Sequence, residues 1–282
     1  MSDPAALAER FRSLHHGPHI LVLPNAWDVP SARLFEDAGF PAVATSSAGL
    51  MASLGYPDGE EIPKRDYLAA IRRIATKLSV PLSADVVAGF GRTPSAVVAT
   101  IKGALAAGAV GINLEDQDPT SHQLFPLEAQ VRKIRAIRKL EESTGIPLVV
   151  NARTDALWRA PGEPDARLQE AIRRGMAYRD AGADCVYPMR LTTAAEISTF
   201  VQAVQCPVNV MVRKGLPSIS ELEQLGVKRV SFGPGASYVT MGLLRRVSEE
   251  VLQRGTFETL LEGAITFDEL NQLAMRRNPA SR

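Results

Sequence analysis

Eight short apolar runs recur along the chain, most of them finishing in a polar group: Leu21 to Asn25, Ala42 to Ser46, Pro81 to Asp85, Gly111 to Gln117, Pro147 to Arg153, Cys185 to Met189, Pro207 to Met211 and Arg229 to Gly233. Their length suits strands buried on both faces, where charged groups are tolerated only as the strand leaves the core. Between most of them lies a segment with apolar residues at helical spacing, closed by a Gly-containing turn such as Ala107-Gly108 or Ala181-Gly182-Ala183.

Eight alternating βα units predict an α/β protein of the (β/α)8 TIM-barrel class, with the barrel over about residues 18–250. An open doubly wound sheet needs a Gly-rich turn after its first strand, and Pro24-Asn25-Ala26-Trp27-Asp28 is not one. Extra helices are expected at both ends, Ala5 to His15 before the barrel and a helical extension over about 251–282. Ser31 reads as the cap of the helix after the first strand, and Ser46 to Leu50 as a small-residue turn that either approaches an anion or is small only to pack tightly. Gln117 to Pro126 reads as an aperiodic candidate lid, Arg159 to Asp165 as a Pro/Gly-rich turn, and Gly233-Pro234-Gly235 as a turn at a helix start that could bind an anion, a weak signal on its own.

Composition narrows the class. With 282 residues, 45% hydrophobic and 22% charged, the chain fits one barrel domain spanning 1–282. A net charge of +1 with scattered signs leaves no electrostatic footprint for nucleic acid. No apolar run approaches the ~18 residues of a membrane span, and Asp3, Glu9 and Arg10 interrupt any signal-peptide core, so a cytoplasmic protein is expected. Cys185 and Cys206 both fall at strand starts and read as packed thiols.

The chemistry should sit at the strand ends that open the barrel. Asp85 and Glu115, with Asp116 beside them, converge there from adjacent strands. An all-oxygen set without His or Cys points to Mg2+ or Mn2+, completed by water and substrate. Arg153 stands opposite, where its planar fork suits a carboxylate or pairs with Glu115 or Asp155. His122 is the only histidine near a strand top, either an acid/base in the lid or a solvated loop residue, and Asn209 is presented by the seventh strand. A Schiff-base aldolase needs a lysine in the mouth, and Lys214 lies beyond it.

Several segments together resemble the isocitrate lyase/phosphoenolpyruvate mutase superfamily: Pro24-Asn25-Ala26-Trp27-Asp28, Thr45-Ser46-Ser47-Ala48-Gly49, Leu54-Gly55-Tyr56-Pro57-Asp58, Ala84-Asp85, Gly89-Phe90-Gly91, Leu114-Glu115-Asp116 and Asn151-Ala152-Arg153-Thr154-Asp155. The resemblance implies Asp85 as a direct metal ligand and Glu115 as a metal-site acid acting through water. It implies Ser46, Ser47 and Ala48 as the turn that holds a 2-oxo acid, Arg153 as substrate clamp and Asp58 as a loop acid near the reacting group. Two departures separate this chain from the named branches. The lid reads Gln117-Asp118-Pro119-Thr120-Ser121-His122-Gln123 in place of the lyases' Lys-Arg-Cys-Gly-His and lacks the mutases' lysines. The usual Asp-Ala-Asp is replaced by Asp85 followed by Val86-Val87-Ala88, as though two residues were inserted.

The expected activity is Mg2+-dependent cleavage of a C–C bond in a small 2-oxo or 2-hydroxy (di)carboxylic acid through an enolate, including oxaloacetate-type decarboxylation or hydrolysis. The alternatives are a P–C bond enzyme and a non-catalytic 2-oxo acid binder. The resemblance, with apolar residues such as Leu260, Leu261, Phe267 and Leu273 late in the chain, also implies a homo-oligomer, a tetramer whose C-terminal helix is swapped between subunits.

Overall fold

The computed structural model describes residues 3–275. Helix α1 (Pro4–Leu14) leads into β1 (Leu21–Leu23), and Pro24 separates that strand from β2 (Asn25–Ala26). Then follow α2 (Val29–Asp37), β3 (Val43–Thr45), α3 (Ser47–Ser53), α4 (Lys64–Ala75), β4 (Leu82–Asp85), α5 (Pro94–Ala106) and β5 (Gly111–Glu115). The middle of the chain forms α6 (Leu127–Thr144), β6 (Val149–Thr154), α7 (Ala156–Arg159), α8 (Pro164–Asp180), β7 (Cys185–Pro188) and α9 (Ala194–Val204). It continues with β8 (Asn209–Met211), α10 (Ile219–Gln224), β9 (Arg229–Ser231), α11 (Gly235–Arg254), α12 (Glu258–Leu261) and α13 (Phe267–Met275).

All the strand pairs are parallel, in the orders β2-β3-β4-β5-β6-β7 and β1-β9-β8. The two groups join twice, covalently through Pro24 and by a parallel bridge from Val186 to Val208, where Val186 N–H donates to Pro207 O at 2.9 Å. Proline has no N–H to extend a ladder, so it divides the first barrel strand in two without breaking the ring. The eight runs read from the sequence are therefore the eight staves of the barrel.

The barrel's lower end, where the strands begin, is closed by α1. Phe11 packs with Leu21, Leu23 and Val149, and a Cβ added to Gly111 would lie 2.4 Å from the Phe11 ring. Glycine at the start of β5 thus makes room for the helix that plugs the ring.

Three local expectations change. The cap of α2 is Asp28, whose carboxylate accepts from Ser31 N–H at 2.8 Å while Ser31 Oγ accepts from Asp28 N–H at 3.2 Å; Ser31 is the third helical residue of a reciprocal capping box. Ser46 to Leu50 is the first turn of α3, capped by Ser46 Oγ accepting from Gly49 N–H at 3.3 Å. The Arg159 to Asp165 turn is entered through the short α7 and left at the start of α8.

At the other end of the chain, α13 lies back on α2 of its own barrel: Leu273 is buried and Lys77 Nζ donates to Ala274 O at 3.1 Å. The buried Glu250 carboxylate in α11 accepts from Thr256 Oγ, Glu258 N–H and Thr259 N–H, tying the extension to its helix. Val239, Leu252, Leu261 and Phe267 remain exposed on these helices, Leu252 at 85% and Phe267 at 80%. No helix among the described residues is long and apolar enough to cross a membrane.

Candidate active site

A cavity of about 250 Å³ occupies the barrel interior and opens where the strands end. Inward-facing residues of a strand recur every second position, which is why Ser83 and Asp85, Asn151 and Arg153, Asn209 and Met211, and Arg229 and Ser231 all line it in pairs. Ser46, Ser47 and Ala48 from the start of α3, Asp58 from the following loop, and Trp158, Tyr187 and Tyr238 complete its upper wall.

Asp85 stands at the centre of this arrangement. Its Oδ2 accepts from Ser47 N–H at 3.2 Å, and its Oδ1 accepts from Val87 N–H and from the Asn113 amide, both at 3.2 Å. Its backbone is fixed on both sides, the carbonyl by Tyr67 OH at 2.6 Å and the N–H by Thr45 Oγ at 2.9 Å. Asn113 in turn accepts from the Asn151 amide at 2.8 Å, so a relay of amides runs inward from the carboxylate. Val87, two residues on, is buried with φ +52°, a left-handed conformation that is costly for a β-branched side chain.

Asp58 shares the cavity with Asp85. Burial pushes its pKa up, the Asp85 charge adds to that, and a hydrogen bond from Ser47 works against it. All the hydrogen-bond donors to Asp85 are neutral, and the Arg153 charge lowers the Asp58 pKa without an ion pair, so among the described residues two acids face one space with no ion pair to either.

Arg153 is held from two directions. Its Nη1 donates to Glu115 Oε1 at 2.7 Å, and its Nε and Nη2 donate to the two oxygens of Asp155 at 2.8 and 3.1 Å. A guanidinium carries five N–H groups, so three are committed and two remain for the cavity. The ion-pair reading of Arg153 and its exposure to a ligand hold together. Glu115 is buried behind Arg153 and does not line the cavity; burial pushes its pKa well up, against the pull of Arg153.

Asp116 does not join them. Neighbouring strand residues point to opposite faces, and Asp116 turns outward, where its Oδ2 accepts from Tyr178 OH at 2.7 Å and Arg174 Nη1 at 3.1 Å. Its Oδ1 accepts from Asp155 N–H at 2.8 Å, so it acts on the site only through the residue that grips Arg153.

His122 also stays outside. It is exposed, with φ +56°, and its Nδ1 lies 3.3 Å from Gln117 Nε2. The lid around it is an ordered turn: Gln117 and Leu124 form an antiparallel bridge, and Asp118 accepts from Thr120 N–H and pairs with Arg92 at 2.7 Å. Asn209 lines the cavity and donates to Ser231 Oγ at 3.1 Å. The Gly233 turn is not free for an anion, because Phe232 and Gly233 N–H both donate to Asn25 Oδ1 at 2.9 Å.

The donors fit a hard divalent cation held mainly by water. Asp85 offers a carboxylate bonded only by long neutral contacts, while no cluster of three or more His, Cys, Asp or Glu in ligating range occurs among the described residues.

Sequence reasoning missed Arg229, Ser83, Asn113 and Trp158, which also line the cavity. The period-two signal was there for Ser83 and Arg229, each two residues from another lining residue, Asp85 and Ser231. Trp158 carries none, since its place depends on the short α7 and on Arg159 and Arg190, whose guanidinium carbons lie 3.6 and 4.1 Å from the indole centre.

The fold and the strand-end residues define a barrel enzyme family, and sequence comparison identifies which. The family model for phosphoenolpyruvate phosphomutase matches residues 11–252, and the chain belongs to this family within the isocitrate lyase/phosphoenolpyruvate mutase superfamily. It is 34% identical over 214 residues to the 2-methylisocitrate lyase of Bacillus subtilis, covering 73% of this chain and 67% of that one. A solved lyase/mutase-type protein of Burkholderia cenocepacia J2315 is 36% identical, covers 98% of both chains and superposes with a TM-score of 0.89. Oxaloacetate acetylhydrolase in complex with 3,3-difluorooxalacetate is 25% identical, covers 96% of this chain and 94% of that one, and has a TM-score of 0.84.

Proposed function

We propose that this protein is a Mg2+- or Mn2+-dependent lyase that cleaves a C–C bond of a small 2-oxo or 2-hydroxy (di)carboxylic acid. The observation that carries this reading is the meeting of Asp58 and Asp85, neither in an ion pair, across a cavity that Arg153 also lines with two N–H groups uncommitted. Asp85 would hold the metal directly, while Glu115, behind Arg153 and off the cavity wall, would act on the site by holding that guanidinium and not as the water-mediated metal acid expected from the sequence. The cation, when bound, supplies Lewis-acid stabilisation of the negative charge that develops on the substrate oxygens.

The chain's own residues supply the rest. Ser46, Ser47 and Ala48 present the α3 start to the acid end of the substrate, and Arg153, its position set by Asp155, neutralises charge as the bond breaks. For a 2-hydroxy substrate the hydroxyl proton passes to a base as the C–C pair is released into an enolate, which is then protonated on carbon. Asp58 is suited to hold the transferred proton because its pKa is raised by burial and by Asp85. A cavity with no lysine in its lining favours a carbon–carbon over a phosphorus–carbon substrate.

The reading includes a homo-oligomer, a tetramer joined through the apolar residues exposed on α11 to α13; because α13 packs on α2 of its own barrel, the helix exchange expected from the sequence is not part of it. The activity is tested with a panel of such acids assayed in Mg2+ and after chelation. Chelator-sensitive turnover of at least one acid is expected, and absence of metal-dependent turnover across the panel refutes the reading.

A further inference from the structure

Four buried polar atoms without a partner belong to residues that line the cavity: Arg229 Nε, Ser83 Oγ, Asn151 Oδ1 and Asn209 Oδ1. Their residues are at most 2% exposed. Buried polar atoms are almost always hydrogen-bonded, so such a concentration marks a place built for something that enters.

Arg229 decides what that is. Its one recorded side-chain partner is His15 Nε2, at 3.5 Å, and no carboxylate among the described residues forms an ion pair with it. His15 cannot serve as a counter-charge: its Nδ1 lies 2.9 Å from Phe11 O, which takes the ring N–H and leaves Nε2 as an acceptor for the arginine. Arg153 is ion-paired with two carboxylates, whereas Arg229, more deeply buried, has no ion pair among the described residues and feels only the more distant charge of Asp85. A guanidinium does not shed its proton in a protein, so this buried charge favours an anion entering the cavity.

We propose that the cavity floor around Arg229 is a subsite for the second carboxylate of a dicarboxylic acid whose reacting end lies at Asp85. Ser83 Oγ can donate to the same carboxylate. The Asn151 orientation is fixed, because its amide donates to Asn113, which donates to Asp85; its free oxygen suits a ligand hydroxyl beside the carboxylate. The inference rests on the cavity being the substrate site and narrows the substrate class to diacids.

The test is calorimetric binding of malate, malonate and lactate to the full-length protein in Mg2+, for the wild type, Arg229→Gln, Arg229→Lys and Ser83→Ala. The wild type is expected to bind at least one diacid about tenfold or more tightly than lactate, the range of a charge-assisted pair. Arg229→Gln should bring that ratio towards one with lactate affinity nearly unchanged, and Arg229→Lys should keep part of it. A wild type without diacid preference, or a folded Arg229→Gln protein with the wild-type ratio, overturns the proposal. If Arg229→Gln does not fold, unchanged ratios in both Arg229→Lys and Ser83→Ala overturn it instead. Binding is read without turnover, so failure of the lyase assay and failure of the subsite are separate results.

Discussion

Asp155 grips Arg153 with both carboxylate oxygens, at 2.8 Å to Nε and 3.1 Å to Nη2, and is itself fully buried. The pair is two residues apart on the same strand exit, so the clamp is set by local backbone geometry and not by a distant loop. Replacing Asp155 with Asn keeps the shape but removes the charge and one of the two acceptors. Catalytic efficiency is expected to fall by roughly ten- to a hundredfold, as for other residues that orient a site ligand. Steady-state kinetics with a folded Asp155→Asn protein check this, and efficiency within a factor of about two of wild type counts against the clamp.

Asp116 should matter for stability first. Its carboxylate meets Arg174 and Tyr178 in a buried cluster, and removing it leaves Arg174 with Glu170 as its remaining acid. Asp116→Ala is expected to cost roughly 3–5 kcal/mol in denaturant unfolding, the range for breaking a buried charge pair. A loss below about 1 kcal/mol would show that the cluster is not holding β5 to α8.

The plug below the barrel gives a pH dependence. Burial, and then the Arg229 charge, lower the His15 pKa from 6.5 to about 3. Between these values the unfolded chain binds a proton that the folded chain does not, so stability is complete above pH 6.5 and declines as pH falls towards 3. His15→Gln should flatten this part of a stability-against-pH curve, by an amount on the order of a few kcal/mol. Identical slopes for variant and wild type across that window would falsify the assignment.

The C-terminal extension links assembly to exposed surface. Deleting Thr256 to Arg282 removes the segment that Glu250 anchors and that covers part of α2. The full chain is expected to scatter light as a tetramer, and the truncated one to dissociate or aggregate. A stable full-length monomer at micromolar concentration contradicts the oligomer.

Much of this was legible in the sequence, for a definite reason. Strands buried on both faces announce themselves as apolar runs, and Asp85, Glu115 and Arg153 stand out because charge at such a strand must lie near an exit. The facing of Asp116 was legible too, by the alternation that places Glu115 and Asp116 on opposite sides, but adjacency in sequence reads more naturally as adjacency in space. Arg229 was hidden because it begins its strand, where a charge suggests the barrel's outer rim; only the α1 plug, with His15 beneath it, turns that position into an interior one. The exclusion of His122 depends on the turn closed by Gln117 and Leu124, whose geometry has no periodic signature.

The most direct measurement concerns Asp85. Turnover of the best acid in the panel should be followed against Mg2+ concentration for the wild type and for Asp85→Ala, with folding of both verified by circular dichroism. Loss of a direct carboxylate from a site with few protein ligands should abolish metal-dependent turnover while the barrel stays folded. A folded Asp85→Ala protein with the wild-type rate and the wild-type Mg2+ response contradicts the assignment of this cavity as a metal-assisted lyase site.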